Sequence, residues 1–179
     1  MTTFLRNSCL AASLLVASCG GGQAPAEENQ PIVSASADQS EGACGLLTRQ
    51  QVDTVIPGND GGNERDTSEE TLLDGVEMDH CQYVLVEGMD AKFLDLLIYR
   101  AASDEAFPQI EIDHMAGKES YRQLDIGDMA FLMDMSDQQK MMVTASKGRT
   151  VIELKLIADD AQAKSEQLIE LTRIVVGKI

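Results

Sequence analysis

The hydrophobic and polar positions of this chain predict five strands. Strict alternation of apolar and polar residues, or a short apolar run bounded by turn signals, is typical of a strand. Such patterns occur in CQYVLVE, KFLDLLIYRA, DMAFLMDM, KMMVTASKG and RTVIELKLIA. A short turn over residues 88–91 separates the first two, and Gly148-Arg149 separates the last two. Such short links favour antiparallel pairing of neighbouring strands.

Three helices are predicted around these strands. The first begins at Thr48, whose capping-box partner Gln51 follows three residues later. The second lies within residues 103–117, and the third follows Asp159 or Asp160 and carries an apolar stripe. The predicted order is α-β-β-α-β-β-β-α. The fold class is therefore α+β, with helices packed on an antiparallel sheet.

The first residues, MTTFLRNSCLAASLLVASCGGG, have a basic start, a short apolar run and small residues before a cysteine. The apolar run over residues 10–17 is far shorter than the roughly 20 residues of a spanning helix, and the pattern indicates a secretory signal peptide. The motif VASC resembles the lipobox of bacterial lipoproteins. In that family a diacylglyceryl group is attached to the cysteine and the leader is removed before it, which implies lipidation of Cys19. The alternative is an ordinary signal peptide with an incidental cysteine.

These features divide the chain into a lipoprotein signal peptide (1–18), a lipidated cysteine with a flexible tether (19–43) and a single α+β domain (44–179). The tether is rich in Gly, Pro, Ser, Ala and acidic residues, so it buries too little apolar surface to offset the entropy of ordering. Gly20 follows the cysteine, and the resemblance implies that this residue permits outer-membrane sorting. The predicted location is the cell envelope, at the periplasmic face of the outer membrane in a Gram-negative source.

The formal net charge of −16 restricts the partners of the chain. A nucleic-acid partner is excluded because binding would need clustered Lys and Arg. The same acidity disfavours electrostatic adhesion to anionic lipid. The predicted contact with the membrane is therefore made through the lipid anchor, and the acidic surface indicates solubility.

The cysteines of the domain, Cys44 and Cys81, remain after Cys9 leaves with the leader and Cys19 takes the lipid. In an oxidising compartment we expect them to form one disulfide. The alternative, a reactive or metal-binding thiol pair, lacks a CxxC spacing. The start CGLLT at Cys44 and the later CQY at Cys81 are similar to small actinobacterial envelope lipoproteins. That resemblance implies a lipid anchor, an α+β domain and one disulfide, and it implies no catalytic residues.

Candidate metal ligands are two histidines and a group of methionines. His80 in EMDHC and His114 in EIDHM each follow an aspartate, but neither has a second histidine at metal-binding spacing. We therefore expect both to be surface or core histidines. The methionines concentrated in the third and fourth predicted strands are Met129, Met133, Met135, Met141 and Met142.

Thioethers select Cu(I), but methionine also fills irregular cores and adaptable binding faces. Met129, Phe131, Met133 and Met135 share one face of their strand by alternation. Because the chain has four Phe and no Trp, we expect these side chains to pack in the core, with the final helix as their cover. An apolar binding face and a copper site stay open as alternatives.

No motif of nucleophilic catalysis is present, since the chain has no GxSxG and its histidines have no recognisable serine or cysteine partner. The acidic loop over residues 58–66 lacks the ligand spacing of an EF-hand. The chain is predicted to be no enzyme and to need no cofactor. The leading hypothesis is a lipid-anchored envelope protein with a domain that binds an envelope protein or a small apolar ligand. A copper carrier and a small hydrolase are the alternatives.

Overall fold

The three-dimensional structure is a computed structural model, and it describes residues 42–67, 74–108, 110 and 121–179. The predicted signal peptide, Cys19, the tether up to residue 41 and His114 lie outside the described residues. Most of the helix predicted within 103–117 also lies outside them, although Phe107, Pro108 and Ile110 are helical. In the part of the chain that is described, no helix is both long and apolar enough to cross a membrane.

In the described part of the chain, seven strands form one antiparallel sheet in the spatial order β1-β2-β3-β7-β6-β5-β4. The strands are β1 (Asn63–Glu64), β2 (Val76–Glu87), β3 (Asp90–Ala101), β4 (Arg122–Leu124), β5 (Met129–Met135), β6 (Lys140–Lys147) and β7 (Thr150–Ile157). Two-residue turns join β2 to β3 and β6 to β7, with Gly88 and Gly148 at positive φ. Such turns match the twist of the strands they connect. The predicted links at these two places are therefore tight hairpins.

The helices whose full range is described are α1 (Arg49–Val52) and α2 (Ser165–Lys178). The capping box before α1 is present: Thr48 Oγ1 accepts from the Gln51 backbone N–H at 3.3 Å, and Gln51 Oε1 accepts from the Thr48 N–H at 2.8 Å. The predicted start of the last helix at Asp159 or Asp160 is wrong. A 3₁₀ turn over Ala161–Lys164 precedes α2, and no side chain caps that turn.

The α+β class and the antiparallel sheet with its C-terminal helix are confirmed, but the predicted order of elements is not. The short strands β1 and β4 were missed because they have two and three residues and no alternating pattern. Both exist through pairing with a longer neighbour, β1 with β2 and β4 with β5. The predicted start of β2 at Cys81 is also late, because β2 begins at Val76. The polar residues before Cys81 hid this extension, although all of them pair with β3.

The main core lies between α2 and one face of the sheet, which we call the helix face. Alternation along each strand fills this face with apolar residues, which are covered by α2 over β6 and β7 and by the N-terminal segment over β2 and β3. The helix-face core from the sheet consists of Cys81, Tyr83, Leu94, Leu96, Ile98, Ala130, Leu132, Met141, Val143, Ala145, Ile152, Leu154 and Leu156. Leu168, Leu171 and Val175 of the predicted stripe on α2 are buried in it. This layer supplies most of the buried apolar surface.

The opposite side of the sheet, which we call the far face, carries the methionine side of β5. The expectation that α2 covers Met129 and its neighbours is wrong, because the core cluster that contains α2 includes Ala130 and Leu132 from the opposite face of β5. Met129 and Phe131 pack in a second, small cluster around Ile110. Ala130 and Leu132 make the other face of β5 largely apolar as well, although it carries Asp134, so the residue pattern did not decide which face the helix covers.

Candidate functional site

A continuous row of side chains crosses five strands on the far face. The register places Gln82 opposite Asp95, Asp95 opposite Lys155, Lys155 opposite Met142, and Met142 opposite Met133. Residues directly opposite each other on adjacent strands point to the same face. The row, which we call the central row, therefore changes from a charged cluster on β2, β3 and β7 to a thioether cluster on β6 and β5.

The charged half of the central row is built around Asp95, whose residue surface is only 4% exposed. Lys155 Nζ lies 3.0 Å from Asp95 Oδ2, and Gln82 Nε2 donates to Oδ1 at 2.8 Å. His80 Nε2 lies 3.1 Å from the same Oδ1. Both carboxylate oxygens are therefore engaged by three side chains from two neighbouring strands.

Burial alone would raise the pKa of Asp95, because desolvation penalises the charged form. The hydrogen bonds from Gln82, Lys155 and His80, together with the positive charge of Lys155, outweigh that penalty and hold the pKa below its usual value. Asp95 is therefore an ionised, fully paired carboxylate at neutral pH. Asp95 fixes the side chains of His80, Gln82 and Lys155, and these contacts use both of its carboxylate oxygens.

The Asp79-His80 pair seen in the sequence is divided by the sheet. Adjacent strand residues point to opposite faces, so Asp79 lies on the helix side, where it forms an ion pair with Arg100. His80 lies on the far face, where its partner is Asp95. Among the described residues, no three His, Cys, Asp or Glu side chains are placed to hold a metal ion together.

The charged cluster was missed in the sequence, although a signal for it exists. Asp95 interrupts the apolar run FLDLLIY of β3, and Lys155 stands between Leu154 and Leu156 in β7. A single charge inside a buried strand indicates a partner, because burying an unpaired charge is costly. The identity of that partner follows only from the β3–β7 register.

The five candidate methionines divide into three environments. Met141 is on the helix face and is 1% exposed, so it is part of the main core. Met129 packs in the small cluster around Ile110. Met133, Met135 and Met142 lie together at the other end of the far face, where Met133 is buried and the other two are half-buried.

The predicted disulfide between Cys44 and Cys81 is confirmed. It ties the N-terminal 3₁₀ turn (Ala43–Leu46) to β2, and neither sulfur is a free thiol. Tyr83, two residues after Cys81, is fully buried beneath the same N-terminal segment. Burial raises the pKa of the Tyr83 hydroxyl, and the carboxylates of Glu64 and Asp60 add to this effect. The Tyr83 hydroxyl is therefore a neutral group in the part of the core that the disulfide ties together.

A cleft of about 490 Å³ lies where α2 begins. Its lining residues are Tyr121, Arg122, Leu132, Asp134, Met141, Gln162 and Ser165. Three of its polar lining residues are engaged: Arg122 pairs with the neighbouring Glu166 at 3.1 Å, and Gln162 donates to Asp134 at 2.9 Å. The cleft therefore combines engaged polar side chains with the apolar side chains of Leu132 and Met141.

The turn between β2 and β3 exposes apolar side chains. Val86 is 67% exposed and Met89 is fully exposed. On the far face behind them, Val84 lies opposite Phe93, and both are half-buried. We call this group, from Val84 through the turn to Phe93, the hairpin tip. It is the part of the described surface where large apolar side chains reach furthest into solvent.

Comparison with protein-family models, with curated proteins and with solved structures finds no match to this chain.

Proposed function

We propose that this chain is a lipid-anchored protein of the cell envelope whose domain binds a partner protein through the hairpin tip. The observation that carries the proposal is the exposure of Val86 and Met89. The role is one of binding and not of catalysis. In support, Asp95, a buried carboxylate on the far face, is engaged through both oxygens by side chains of the chain itself.

The hairpin tip has the composition of a contact surface. Fully burying a side chain such as Val or Met contributes about 1.5–3 kcal/mol. Two such residues at the end of a rigid hairpin, backed by Val84 and Phe93, supply a compact apolar centre. Methionine adds adaptability, because its unbranched side chain adjusts to the shape of the partner.

The charge around the tip indicates the chemistry of the partner. The turn carries the exposed carboxylates of Glu87 and Asp90, and Lys92 lies 3.8 Å from Glu87. The whole chain has a net charge of −16. Charge complementarity therefore favours an envelope protein with an apolar patch flanked by Lys and Arg, whose approach is accelerated by electrostatic attraction.

The anchor is supported by the lipobox-like VASC motif and by the tether that follows it. Two or more acyl chains hold a protein stably at a membrane, whereas one holds it only marginally. The tether has a typical reach of about 25–30 Å if it behaves as a flexible coil. The domain would then meet partners close to the membrane surface.

The anchor is tested by replacing Cys19 with serine. We expect Cys19→Ser to remain an unlipidated precursor and to be released in large part from the membrane fraction. Cys9→Ser is the matched control, because it removes a leader thiol and leaves the lipobox intact, so its partition should not change. Mass spectrometry of the N-terminal peptide measures the lipid directly. The lipid anchor would be contradicted if Cys19→Ser partitions as the wild type does and if the wild-type protein carries no lipid on Cys19.

The docking surface is tested with a photo-crosslinking amino acid in the producing cells. At Met89 we expect a discrete crosslink to one protein, and at the exposed Gln167 on α2 we expect none. Val86→Asp should abolish the Met89 crosslink, and Gln167→Asp, which adds the same charge elsewhere, should not. High salt should weaken the crosslink at Met89, since the proposed partner is basic and salt screens the attraction between exposed charges. Crosslinking to lipid, equal crosslinking at both positions, or insensitivity to Val86→Asp would overturn this surface.

A further inference from the structure

We propose that Met133, Met135 and Met142 form a thioether site that binds Cu(I) on the far face. The site goes beyond the proposed docking function and does not depend on it, because the two use different strands. It also differs from the broad methionine cluster of the sequence, since the structure removes Met129 and Met141 from the set of candidate ligands.

The strand register brings the three side chains together. Met133 and Met142 are directly opposite each other on β5 and β6, and Met135 is two residues further along β5 on the same face. Directly opposed Cβ atoms are about 4.5–5.5 Å apart, and diagonal neighbours are about 7–8 Å apart. Methionine has three rotatable bonds beyond the backbone. The three sulfur atoms can therefore converge on one ion without a change in the backbone.

The degree of burial suits a soft cation. Met133 is 9% exposed, whereas Met135 and Met142 are half-buried. The ligands are thus sheltered from water on one side and reachable from the other. Three uncharged thioethers match the preference of Cu(I) for soft sulfur donors, whereas harder divalent ions prefer oxygen or imidazole.

The nearest positive charge in the central row is already compensated. Lys155 lies opposite Met142, but its Nζ is held 3.0 Å from Asp95 Oδ2. Lys140 lies opposite Met135 at the end of the strand pair, where a long side chain can turn its ammonium group to solvent. The charged half of the central row therefore directs its lysine away from the thioether half.

The experiment is a Cu(I) titration of the full chain in detergent, in competition with a chromophoric Cu(I) chelator of known affinity. All proteins carry Cys9→Ser and Cys19→Ser, because free thiolates are themselves soft ligands. Ascorbate keeps copper reduced, since a thiol reductant would bind Cu(I) and would open the Cys44–Cys81 disulfide. We expect one equivalent of Cu(I) to be withdrawn from the chelator.

Replacement by leucine conserves side-chain volume while removing sulfur. Met142→Leu should weaken Cu(I) binding by about tenfold or more, and the triple variant of Met133, Met135 and Met142 should lose it. Met129→Leu and Met141→Leu are matched controls from the same two strands and should bind normally. Circular dichroism and urea unfolding verify that each variant folds.

A second readout identifies the ligands without relying on affinity. In spectra of methyl-labelled methionine, Cu(I) should shift the methyl signals of Met133, Met135 and Met142 and leave that of Met129 in place. The proposal is overturned if the parent protein withdraws no copper, if the folded triple variant binds as well as the parent, or if the shifts fall on other methionines. Because the anchor cysteine is absent throughout, these outcomes are independent of the lipid anchor and of the docking partner.

Discussion

Removal of the Cys44–Cys81 disulfide is expected to lower the free energy of unfolding by about 4 kcal/mol, as chain-entropy estimates give for a loop of this size. The two cysteines are separated by 37 positions, so the bond restricts a long loop in the unfolded chain. In the folded domain it fixes the N-terminal segment against β2, where Tyr83 is buried. Urea unfolding of the Cys44→Ala/Cys81→Ala double variant measures the effect.

Cys81 is fully buried, so its replacement also removes packing atoms. Unfolding of the wild-type domain with the disulfide chemically reduced separates the two contributions, because the sulfur atoms stay in place. Thiol labelling in the Cys9→Ser/Cys19→Ser background should find no free cysteine before reduction. Two labelled thiols in the folded, unreduced protein, or a loss below about 1 kcal/mol on reduction, would contradict the structural role of the bond.

Asp95→Asn is expected to destabilise the domain by about 2 kcal/mol at neutral pH, below the 3–5 kcal/mol typical of a broken buried ion pair. The expected loss of stability is smaller than this range because the Lys155 side chain is 29% exposed and can recover contact with water. The amide still occupies the volume of the carboxylate, but it cannot accept from Lys155, Gln82 and His80 with a full negative charge. Urea unfolding at pH 7 measures this loss.

The same substitution should remove part of the acid sensitivity of the domain. The folded pKa of Asp95 is lowered, so the unfolded chain binds this proton more readily than the folded domain does. The contribution of Asp95 is therefore complete above the usual carboxyl pKa of about 4 and is lost as the pH falls below it. The wild type should lose stability in this range more steeply than Asp95→Asn.

Asp137→Asn, at an exposed carboxylate, is the control and should follow the wild type. Parallel acid curves for wild type and Asp95→Asn would contradict the prediction.

Local sequence signals predicted the elements that depend on near neighbours. The five long strands, the turns at Gly88 and Gly148 and the capping box of Thr48 and Gln51 all appear in the structure. Each depends on alternation, on positive φ or on a hydrogen bond over three residues. The Cys44–Cys81 pairing was predictable for a different reason, because only two cysteines were expected to remain as thiols.

The short edge strands and the partners of side chains on the sheet were not predictable from these local signals. The strands β1 and β4 are too short to show a period, and they exist only because β2 and β5 offer unpaired edges. The apparent Asp79-His80 unit is separated because neighbouring strand residues point to opposite faces. Local pairing in the sequence was therefore a poor guide to side-chain partners on the sheet.

By itself, the sequence determined that this domain is an acidic α+β unit with an antiparallel sheet, paired hairpins and a C-terminal amphipathic helix. The tertiary structure alone decided which face of β5 the helix covers, because both faces carry apolar residues and the core cluster of α2 includes Ala130 and Leu132. That choice leaves Met133, Met135 and Met142 on the far face, where Met133 and Met142 are in line with Asp95 and Lys155. The physical reason is that strand periodicity fixes which residues share a face, whereas the packing of a distant helix fixes which face becomes the core.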